Sequence, residues 1–395
     1  MDNYIVDYNN QYNKLYKTRL ATIRQYIKVD MDTPICKSIL EINKHKEECV
    51  IIGTLFMASD LKQTIFDKIN PNDKKLKISS NTYCSEEVKY YAEDETGKIE
   101  LKFEQEEDLI TTGMVLGYKG SYVDTIFRVN KVIYPEPLKP TNREPSTPKI
   151  AFVSNICVDN ENNSVLLRIM FDYLKLNNIK TVVVLGNFFD RSFAIFQKLI
   201  NSLDLDLILI PEYKDFACKT FPISTVHPKL FEIPTKTYEN PSIFSISGLN
   251  FGVTSSFIVK DLLKYIPQGL KDVQTEPGSY RMHVEAENKL NVETENKFEN
   301  VDNILKALIS LIRARHLCPN APDTVPTVPY SGRDPFFIEK PIDFLFVKDD
   351  EFKTKKCQTT GVTVFTIPDF STSNEILIMD GDTIKPLKLD KKSLN

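Results

Sequence analysis

Three apolar runs in the middle of the chain decide the fold: KIAFVS at Lys149–Ser154, KTVVVLG at residues 180–186 and LDLILIP at residues 205–211. Such nearly continuous apolar runs are typical of strands that are buried on both faces of a parallel sheet. Residues 164–176 and 191–203, which separate the runs, carry apolar side chains at helical spacing. Strands that alternate with helices predict an α/β layered domain.

The sequence after these runs extends the same domain. Residues 268–300 are polar and acidic, and we predict a flexible insertion there. Residues 301–312 have the spacing of an amphipathic helix. The runs DFLFV, GVTVFTIP and EILIMD predict further strands. We place this domain at residues 149–385 and a frayed basic tail at residues 386–395.

A different pattern precedes the three runs. Four β-rich segments are separated by Gly, Asp or Asn turns: ECVIIGTLFMA, GKIELKF, GMVLGYKG and YVDTIFRVNKVIY. They predict a small OB-fold barrel at residues 31–134. Such barrels often bind single-stranded nucleic acid through aromatic side chains in a basic groove. The acidic stretches around residues 86–94 and 104–108 favour a barrel that docks on protein instead.

The barrel is flanked by a helix and a linker. Residues 12–28 carry apolar side chains at helical spacing, and we assign residues 1–30 to an N-terminal amphipathic helix. Its basic residues fall largely between the apolar positions, which predicts a solvated face, with nucleic-acid contact as the alternative. These basic residues are Lys14, Lys17, Arg19, Arg24 and Lys28. Residues 135–148 are rich in proline and predict a stiff linker.

The composition limits the possible functions. The chain has 395 residues, 42% of them hydrophobic, and a formal net charge of −4. A protein that mainly grips phosphate backbones is usually basic, so DNA contact is expected to be weak or indirect. The seven cysteines form no CxxC pair and there are four histidines, which argues against a zinc finger. No apolar signal segment or membrane span is recognisable, so we expect an intracellular protein without membrane contact.

The loops after the predicted strands resemble those of the calcineurin-like metallophosphoesterases. That family carries D-x-H, G-D-x-x-D, G-N-H-[DE], a lone His and G-H-x-H at successive loops. At the corresponding positions this chain has Ser154 and Ile156; Asn187 and Asp190; Tyr213, Lys214 and Asp215; His227; Asp349 and Glu351. The resemblance implies the phosphoesterase fold, with these ten positions as the vestiges of its metal site.

The substitutions remove the chemistry that the family uses. Two metal ions that activate a water molecule need a bridging carboxylate and imidazole ligands. The neutral amide of Asn187 cannot bridge two cations, Ile156 offers no ligand, and Lys214 places a positive charge beside the site. We therefore expect no catalytic residue, no metal and no cofactor. An active metal-dependent phosphodiesterase stays the alternative.

A second resemblance covers both domains, from residue 11 to about residue 380. An OB-like barrel followed by an inactivated phosphoesterase domain is the plan of the small accessory (B-type) subunits of replicative DNA polymerases. The segment YNKLYKTRL (residues 12–20) resembles the Q-Y-x-x-x-Y-x-x-R-L signature of the polymerase delta members. ARHLCPNAPDTVPTVPYSGRDPFF (residues 314–337) is similar to their R-H-x-x-P-x-A-P-D-T block followed by D-P-F, and TIPDFS (residues 366–371) to a later motif.

The insertion at residues 268–300 departs from the usual pattern. The expected fold class is α+β with two domains, a helix and OB-fold barrel followed by an α/β metallophosphoesterase-like sandwich.

The proline-rich block at residues 314–337 has two interpretations. Its prolines favour an extended, stiff segment. Aromatic and charged residues of the kinds that anchor protein interfaces follow them, and we take five as candidates for partner binding: Tyr330, Arg333, Asp334, Phe336 and Phe337. The alternative is that the segment wraps its own domain as a buried strap.

The resemblance implies a scaffold without catalytic activity. Members of this family hold the cysteine-rich C-terminal domain of the DNA polymerase delta catalytic subunit. They also hold a third accessory subunit, which reaches the sliding clamp. We therefore expect a nuclear protein of DNA replication and repair. The alternatives are the active phosphodiesterase and a single-stranded DNA-binding protein that acts through the barrel.

Overall fold

The computed structural model describes residues 5–6, 11–44, 47–59, 61–62, 82–84, 88–105, 109–138, 148–156, 161–187, 205–215, 218–227, 229, 235–266 and 302–390. The predicted helix at residues 191–203, the predicted insertion at residues 268–300 and Asp190 lie outside these ranges. So do residues 139–147 of the predicted linker. Within the described ranges, no helix is both long and apolar enough to cross a membrane.

The N-terminal part of the chain contains a closed five-stranded barrel. It is preceded by β1 (Ile5–Val6) and α1 (Asn13–Arg24). The barrel strands are β2 (Cys49–Ala58), β3 (Lys89–Glu93), β4 (Lys98–Phe103), β5 (Val115–Val123) and β6 (Ile126–Ile133). They close in the order β2-β3-β4-β6-β5, and only the β4–β6 pairing among them is parallel. The predicted barrel is therefore confirmed.

The hairpin between β5 and β6 corrects one strand boundary. We predicted a break between the runs GMVLGYKG and YVDTIFRVNKVIY, but Tyr122 and Val123 belong to β5. The turn lies at Asp124 and Thr125, whose φ values of 51° and 68° are both left-handed, as a tight hairpin requires. Gly120 instead marks an irregularity in the β5–β6 register. A Cβ there would lie 1.8 Å from the carbonyl oxygen of Arg128, so only glycine fits.

Helix α1 packs on the outside of the barrel. Its apolar side chains Leu20 and Ile23, with Ile27 just beyond the helix, join a buried cluster that includes Val50 and Val115 of the barrel. The predicted solvated basic face is wrong for Arg19, which is completely buried. Its burial follows from an ion pair with Asp334, which lies far away in sequence.

The C-terminal part of the chain is built on two sheets. The six-stranded sheet has the order β10-β9-β8-β7-β17-β18 and the five-stranded sheet the order β11-β12-β14-β16-β15. The strands of the first are β7 (Lys149–Ser154), β8 (Thr181–Leu185), β9 (Asp206–Ile210), β10 (Thr235–Thr237), β17 (Glu375–Asp380) and β18 (Thr383–Lys388). Those of the second are β11 (Ser242–Ile246), β12 (Leu249–Val253), β14 (Phe344–Asp349), β15 (Thr354–Lys356) and β16 (Thr363–Pro368).

The two sheets face each other, with helices on their outer sides. Aromatic side chains fill the space between the sheets, including Phe152, Phe251, Phe346 and Phe365. The outer face of the six-stranded sheet packs against α2 (Glu161–Leu176). The outer face of the five-stranded sheet packs against two further helices, α3 (Ser256–Leu262) and α4 (Asn303–Arg313). This order of helix, sheet, sheet and helix confirms the predicted α/β layered sandwich.

Two further segments complete the sandwich. Residues 315–343, which we call the strap, connect α4 to β14 and contain the short strand β13 (Tyr330–Ser331), which pairs with β1. A one-turn helix, α5 (Phe370–Ser373), follows β16. Strand β18 runs to Lys388, so residues 386–388 are not part of a basic tail as predicted. They pair with β17, which holds them in the sheet.

Candidate functional site

The carboxyl ends of the central strands meet at one edge of the sandwich, where α/β folds place their sites. Asn155 follows β7 and Asn187 follows β8, and both have left-handed backbones, with φ of 54° and 52°. Asparagine tolerates this conformation better than most residues. Asp369 follows β16, and Lys348 lies near the end of β14. We call the space among these loops the cleft.

The centre of the cleft is filled by the chain's own polar side chains. The amide nitrogen of Asn155 donates to both carboxylate oxygens of Asp369, at 2.7 and 2.6 Å, and to Ser371 Oγ at 2.9 Å. The amide nitrogen of Asn187 donates to Asn155 Oδ1. The ammonium group of Lys348 lies 2.8 Å from Asp369 Oδ2. The ammonium group of Lys348, the amide of Asn155 and the hydroxyl of Ser371 therefore surround the carboxylate of Asp369, and Asn187 holds the Asn155 amide in place.

These contacts keep Asp369 ionised. Burial by itself would raise the pKa of its carboxyl group, but the hydrogen bond and the charge of Lys348, together with the bonds from Ser371 and Asn155, hold that pKa below its usual value. Lys348 thus places a fixed positive charge beside this carboxylate inside the cleft.

Two further acidic side chains of the cleft accept hydrogen bonds from backbone N–H groups of its loops. Glu212 is buried at the end of β9, and burial raises its pKa. Its carboxylate accepts hydrogen bonds from Ser255 Oγ at 2.7 Å and from the backbone N–H of Ser256 at 3.0 Å. Asp215 is also buried, and its Oδ2 accepts the backbone N–H groups of Asn187, at 2.9 Å, and of Glu212, at 2.8 Å. These acids connect neighbouring loops of the cleft.

The side chains at several of the predicted vestigial positions make hydrogen bonds or packing contacts within the chain, or face the solvent. Ser154 is buried and donates to the carbonyl oxygen of Pro368 at 2.7 Å, while Ile156 packs in the core under α2. Tyr213 stacks on Phe257 with ring centroids 4.5 Å apart. Lys214 is exposed.

Three further predicted vestigial positions that the structure describes, His227, Asp349 and Glu351, do not converge on a ligand-like cluster either. His227 is exposed, and its Nδ1 accepts the backbone N–H of Lys229 at 3.1 Å. Asp349 pairs with Lys353 at 2.9 Å, and the side chain of Glu351 is exposed. Within the described ranges, no group of three or more His, Cys, Asp or Glu side chains is arranged to hold a metal ion.

The residues of the cleft network that were not among the predicted site positions include Asn155, Glu212, Lys348 and Asp369. Each is adjacent to a loop position that we had compared with the metal-ligand motifs, or belongs to TIPDFS. The sequence motifs therefore pointed to the loops in which these residues lie. Their pairing was not visible, because Lys348 lies in β14 and Asp369 follows β16.

The strap forms a second buried polar cluster, between the two domains. Arg19 Nε donates to Asp334 Oδ2 at 2.7 Å. The guanidinium also donates to the carbonyl oxygens of Gly113 in the barrel, at 3.2 Å, and of Pro319 and Ala321 in the strap, at 2.6 and 2.9 Å. We call these residues, with His316, the Arg19 cluster. It joins α1, the barrel and the strap at one point.

His316 is the titratable member of the Arg19 cluster. Its Nδ1 accepts the backbone N–H of Cys318 at 3.2 Å, so its proton lies on Nε2, which is 2.9 Å from Asp334 Oδ2. Burial, reinforced by the charge of Arg19, lowers the pKa of His316 to about 4 despite the carboxylate. Burial opposes ionisation of Asp334, but Arg19 and His316 hold its pKa well below the usual value.

We expect acid to weaken the fold through His316. Its pKa is lowered from 6.5 to about 4 in the folded chain. Its contribution to stability is therefore fully present above pH 6.5 and is lost as the pH falls through 4, at about 1.4 kcal/mol per pH unit. Urea unfolding at several pH values, for the wild type and for His316→Gln, measures this. The difference in unfolding free energy between the two proteins should shrink as the pH falls, while buried acids such as Glu212 affect both alike. A difference that does not change with pH would contradict the prediction.

The other partner-binding candidates lie mostly inside the chain. Tyr330, Asp334, Phe336 and Phe337 are all buried. This is the arrangement expected of the alternative interpretation, a strap that wraps its own molecule. Arg333 is the more accessible candidate, and it pairs with Glu339 at 2.6 Å.

Family models match segments in both parts of the chain. Residues 11–132 match the family model described as DNA polymerase delta subunit OB-fold domain. Residues 193–354 match the family model for the B-type subunit of DNA polymerases alpha and epsilon. A solved crystal structure, that of TT1561 from Thermus thermophilus, covers 62% of this chain and 100% of its own, with 10% identity and a TM-score of 0.33.

Curated relatives match over nearly the whole length. The DNA polymerase delta small subunit of Saccharomyces cerevisiae is 23% identical and aligns over 96% of this chain and 89% of its own. The protein of the same name from Oryza sativa subsp. japonica is 23% identical over 94% and 90% of the two chains. That of Arabidopsis thaliana is 24% identical over 91% and 86%. Both domains match in chain order, so this chain is similar to DNA polymerase delta small subunits over nearly its whole length.

Proposed function

We propose that this chain is a non-catalytic accessory subunit of DNA polymerase delta, which acts as a scaffold in nuclear DNA replication and repair. The names of the relatives that align over most of its length support the polymerase part of the proposal. The Lys348–Asp369 ion pair in the cleft is the observation that carries the non-catalytic part. A cleft that already contains a fixed cation has little attraction for a second one.

The arrangement of the cleft supports the loss of metal catalysis. Asn187 donates its amide to Asn155 instead of offering a carboxylate bridge. Ile156 is part of the hydrophobic core, and Asp349 is neutralised by Lys353. A two-metal mechanism needs several hard oxygen and imidazole ligands that point at one place. Most of the described vestigial positions serve packing or connect loops, while the side chains of Lys214 and Glu351 are exposed.

The rigidity of the two-domain body supports a scaffold role. Buried polar contacts that join the domains include the Arg19 cluster and the ion pair between Lys62 and Asp323. Tyr83 also donates to Asp261 of α3 at 2.6 Å. A scaffold must hold its partners at fixed relative positions, and satisfied buried polar networks fix orientation.

The proposed partners are the cysteine-rich C-terminal domain of the catalytic subunit and a third accessory subunit that links to the sliding clamp. Stable interfaces of this kind bury more than ~2,000 Å² and are apolar at their centres. Residues 31–40, between α1 and the barrel, expose three large apolar side chains: Met31, Ile35 and Leu40. We propose this segment as part of the contact with the catalytic subunit.

Co-expression tests the scaffold. The chain should form a stoichiometric complex with the C-terminal region of the same organism's catalytic subunit, stable in high salt and measured by size-exclusion chromatography with light scattering. Leu40→Gln should weaken the complex, while Leu176→Gln, at a similarly exposed position on α2, should not. Separate elution of two folded proteins would overturn the assignment of this partner. Equal behaviour of the two variants would exclude residues 31–40 from the contact.

A phosphodiesterase assay tests the loss of catalysis. We expect no manganese-dependent hydrolysis of bis(p-nitrophenyl) phosphate by the purified chain, because the described part of the cleft offers no set of ligands for two metals. The matched control is Asp369→Asn, which removes the carboxylate at the centre of the cleft. Activity in the wild type that disappears in this variant and on chelation would establish the phosphodiesterase alternative.

A further inference from the structure

Two cysteines at the start of the barrel lie unusually close together. The Sγ atoms of Cys36 and Cys49 are 3.5 Å apart, and both residues are buried, with exposed fractions of 5% and 1%. Neither is bonded to another cysteine. A disulfide requires an S–S distance of ~2.05 Å, so an approach of ~1.5 Å would join them.

The backbone already holds the two residues in register. Residues 34–36 run parallel to the beginning of β2, and Ile35 forms an isolated bridge with Val50. The N–H of Cys36 donates to the carbonyl oxygen of Val50, and the N–H of Val50 donates to that of Pro34, both at 2.9 Å. These bonds position the Cys36 side chain beside that of Cys49 without any covalent link.

The two cysteines of the pair lie in different structural surroundings. Cys49 lies in the barrel strand β2, while Cys36 lies in the segment between α1 and the barrel, where the neighbouring Ile35 is about half exposed. A small oxidant can therefore reach the pair when residues 31–38 open locally, and the barrel itself does not have to unfold. The hydrogen bond from Cys36 lowers the pKa of Cys49 and so favours its thiolate, the form that reacts.

We propose that Cys36 and Cys49 form a reversible disulfide when the protein encounters a peroxide. The Cys49 thiolate attacks one peroxide oxygen, the O–O bond breaks, and a sulfenic acid forms as hydroxide leaves and takes up a proton. The sulfur of Cys36 then attacks the sulfenic sulfur, and the hydroxyl group leaves as water. In total, two thiols and one hydrogen peroxide give one disulfide and two waters.

The disulfide would fasten residues 31–40 to the barrel. In the reduced chain, hydrogen bonds and packing hold this segment beside β2. The covalent bond closes a short loop, which restricts the opening of the segment.

Mass spectrometry of the full-length chain tests the proposal. Titration with hydrogen peroxide should lower the intact mass by about 2 Da, and dithiothreitol should reverse the change. A non-reducing digest should contain a cross-linked peptide joining Cys36 and Cys49. Cys36→Ser should abolish both signals, whereas Cys357→Ser, which removes a buried cysteine of the second domain, should retain them.

Two outcomes would overturn the proposal. In the first, the exposed Cys218 becomes oxidised while Cys36 and Cys49 remain reduced throughout the titration. In the second, the loss of mass persists in Cys36→Ser, which would assign the disulfide to other cysteines. Circular dichroism of each variant before oxidation shows that the comparison is between folded proteins.

Discussion

Replacement of Arg19 by methionine is expected to lower the free energy of unfolding by about 3–5 kcal/mol, the usual cost of removing one partner of a buried ion pair. The change leaves the carboxylate of Asp334 buried beside a neutral His316. It also removes the donors that the guanidinium gives to the carbonyl oxygens of Gly113, Pro319 and Ala321. Because methionine fills a similar volume, the loss of stability comes from the lost interactions and not from a cavity.

Urea unfolding with hydrogen exchange measures the effect of Arg19→Met. Peptides from α1, the barrel and the strap should all exchange faster, because the Arg19 cluster joins all three. Lys17→Met is the matched control: it removes a basic side chain from the exposed side of the same helix and should change stability by less than ~0.5 kcal/mol. Similar small effects in both variants would show that the cluster does not hold the domains together.

Gly113→Ala is expected to separate the barrel from the strap or to prevent folding. Gly113 has φ of +91°, and a Cβ there would lie 1.8 Å from the carbonyl oxygen of Pro319 and 3.0 Å from Arg19 Nη1. Since the nearest atom is backbone, the strap itself would have to move. The clash adds to the ~1–2 kcal/mol that a left-handed backbone costs an alanine. We expect a total well above ~3 kcal/mol, the range of severe single substitutions.

Gly248→Ala separates the two contributions. Gly248 has a similar φ of +83°, but nothing lies within 4 Å of its would-be Cβ. This variant therefore carries only the backbone cost, and its thermal midpoint should fall by a few degrees. If Gly113→Ala lowers the midpoint by no more than Gly248→Ala, the close approach of the barrel and the strap is not as the structure describes it.

The fold was predictable from local patterns. Alternating strands and helices predicted the layered sandwich, and short strands with turns predicted the barrel, because each pattern reflects which face of an element is buried. The hairpin at Asp124 and Thr125 was misplaced, since a glycine at residue 120 looked like a turn residue and is instead needed where β5 and β6 approach closely.

Long-range pairs were not predictable in the same way. Arg19 occupies a polar position of an amphipathic helix, and helical periodicity alone assigns such a position to solvent. Its burial depends on Asp334, and no pattern within one segment shows that pair. The cleft shows the same limit of prediction from local sequence patterns. The residues at the loop positions that we compared with metal-ligand motifs could be read directly, but the pairing of Lys348 with Asp369 required the structure.

The Arg19–Asp334 pair has a consequence for synthesis on the ribosome. The two residues are 315 positions apart, and Arg19 is translated first. At a translation rate of ~5–20 residues per second, roughly 15–60 s pass between the synthesis of Arg19 and that of Asp334. During that interval α1 carries a guanidinium that belongs in the interior and has no counter-charge. Until the strap is made, α1 has its apolar contacts with the barrel and the bond from Arg19 to the Gly113 carbonyl but none of its contacts with the strap, so the complete Arg19 cluster forms late in translation.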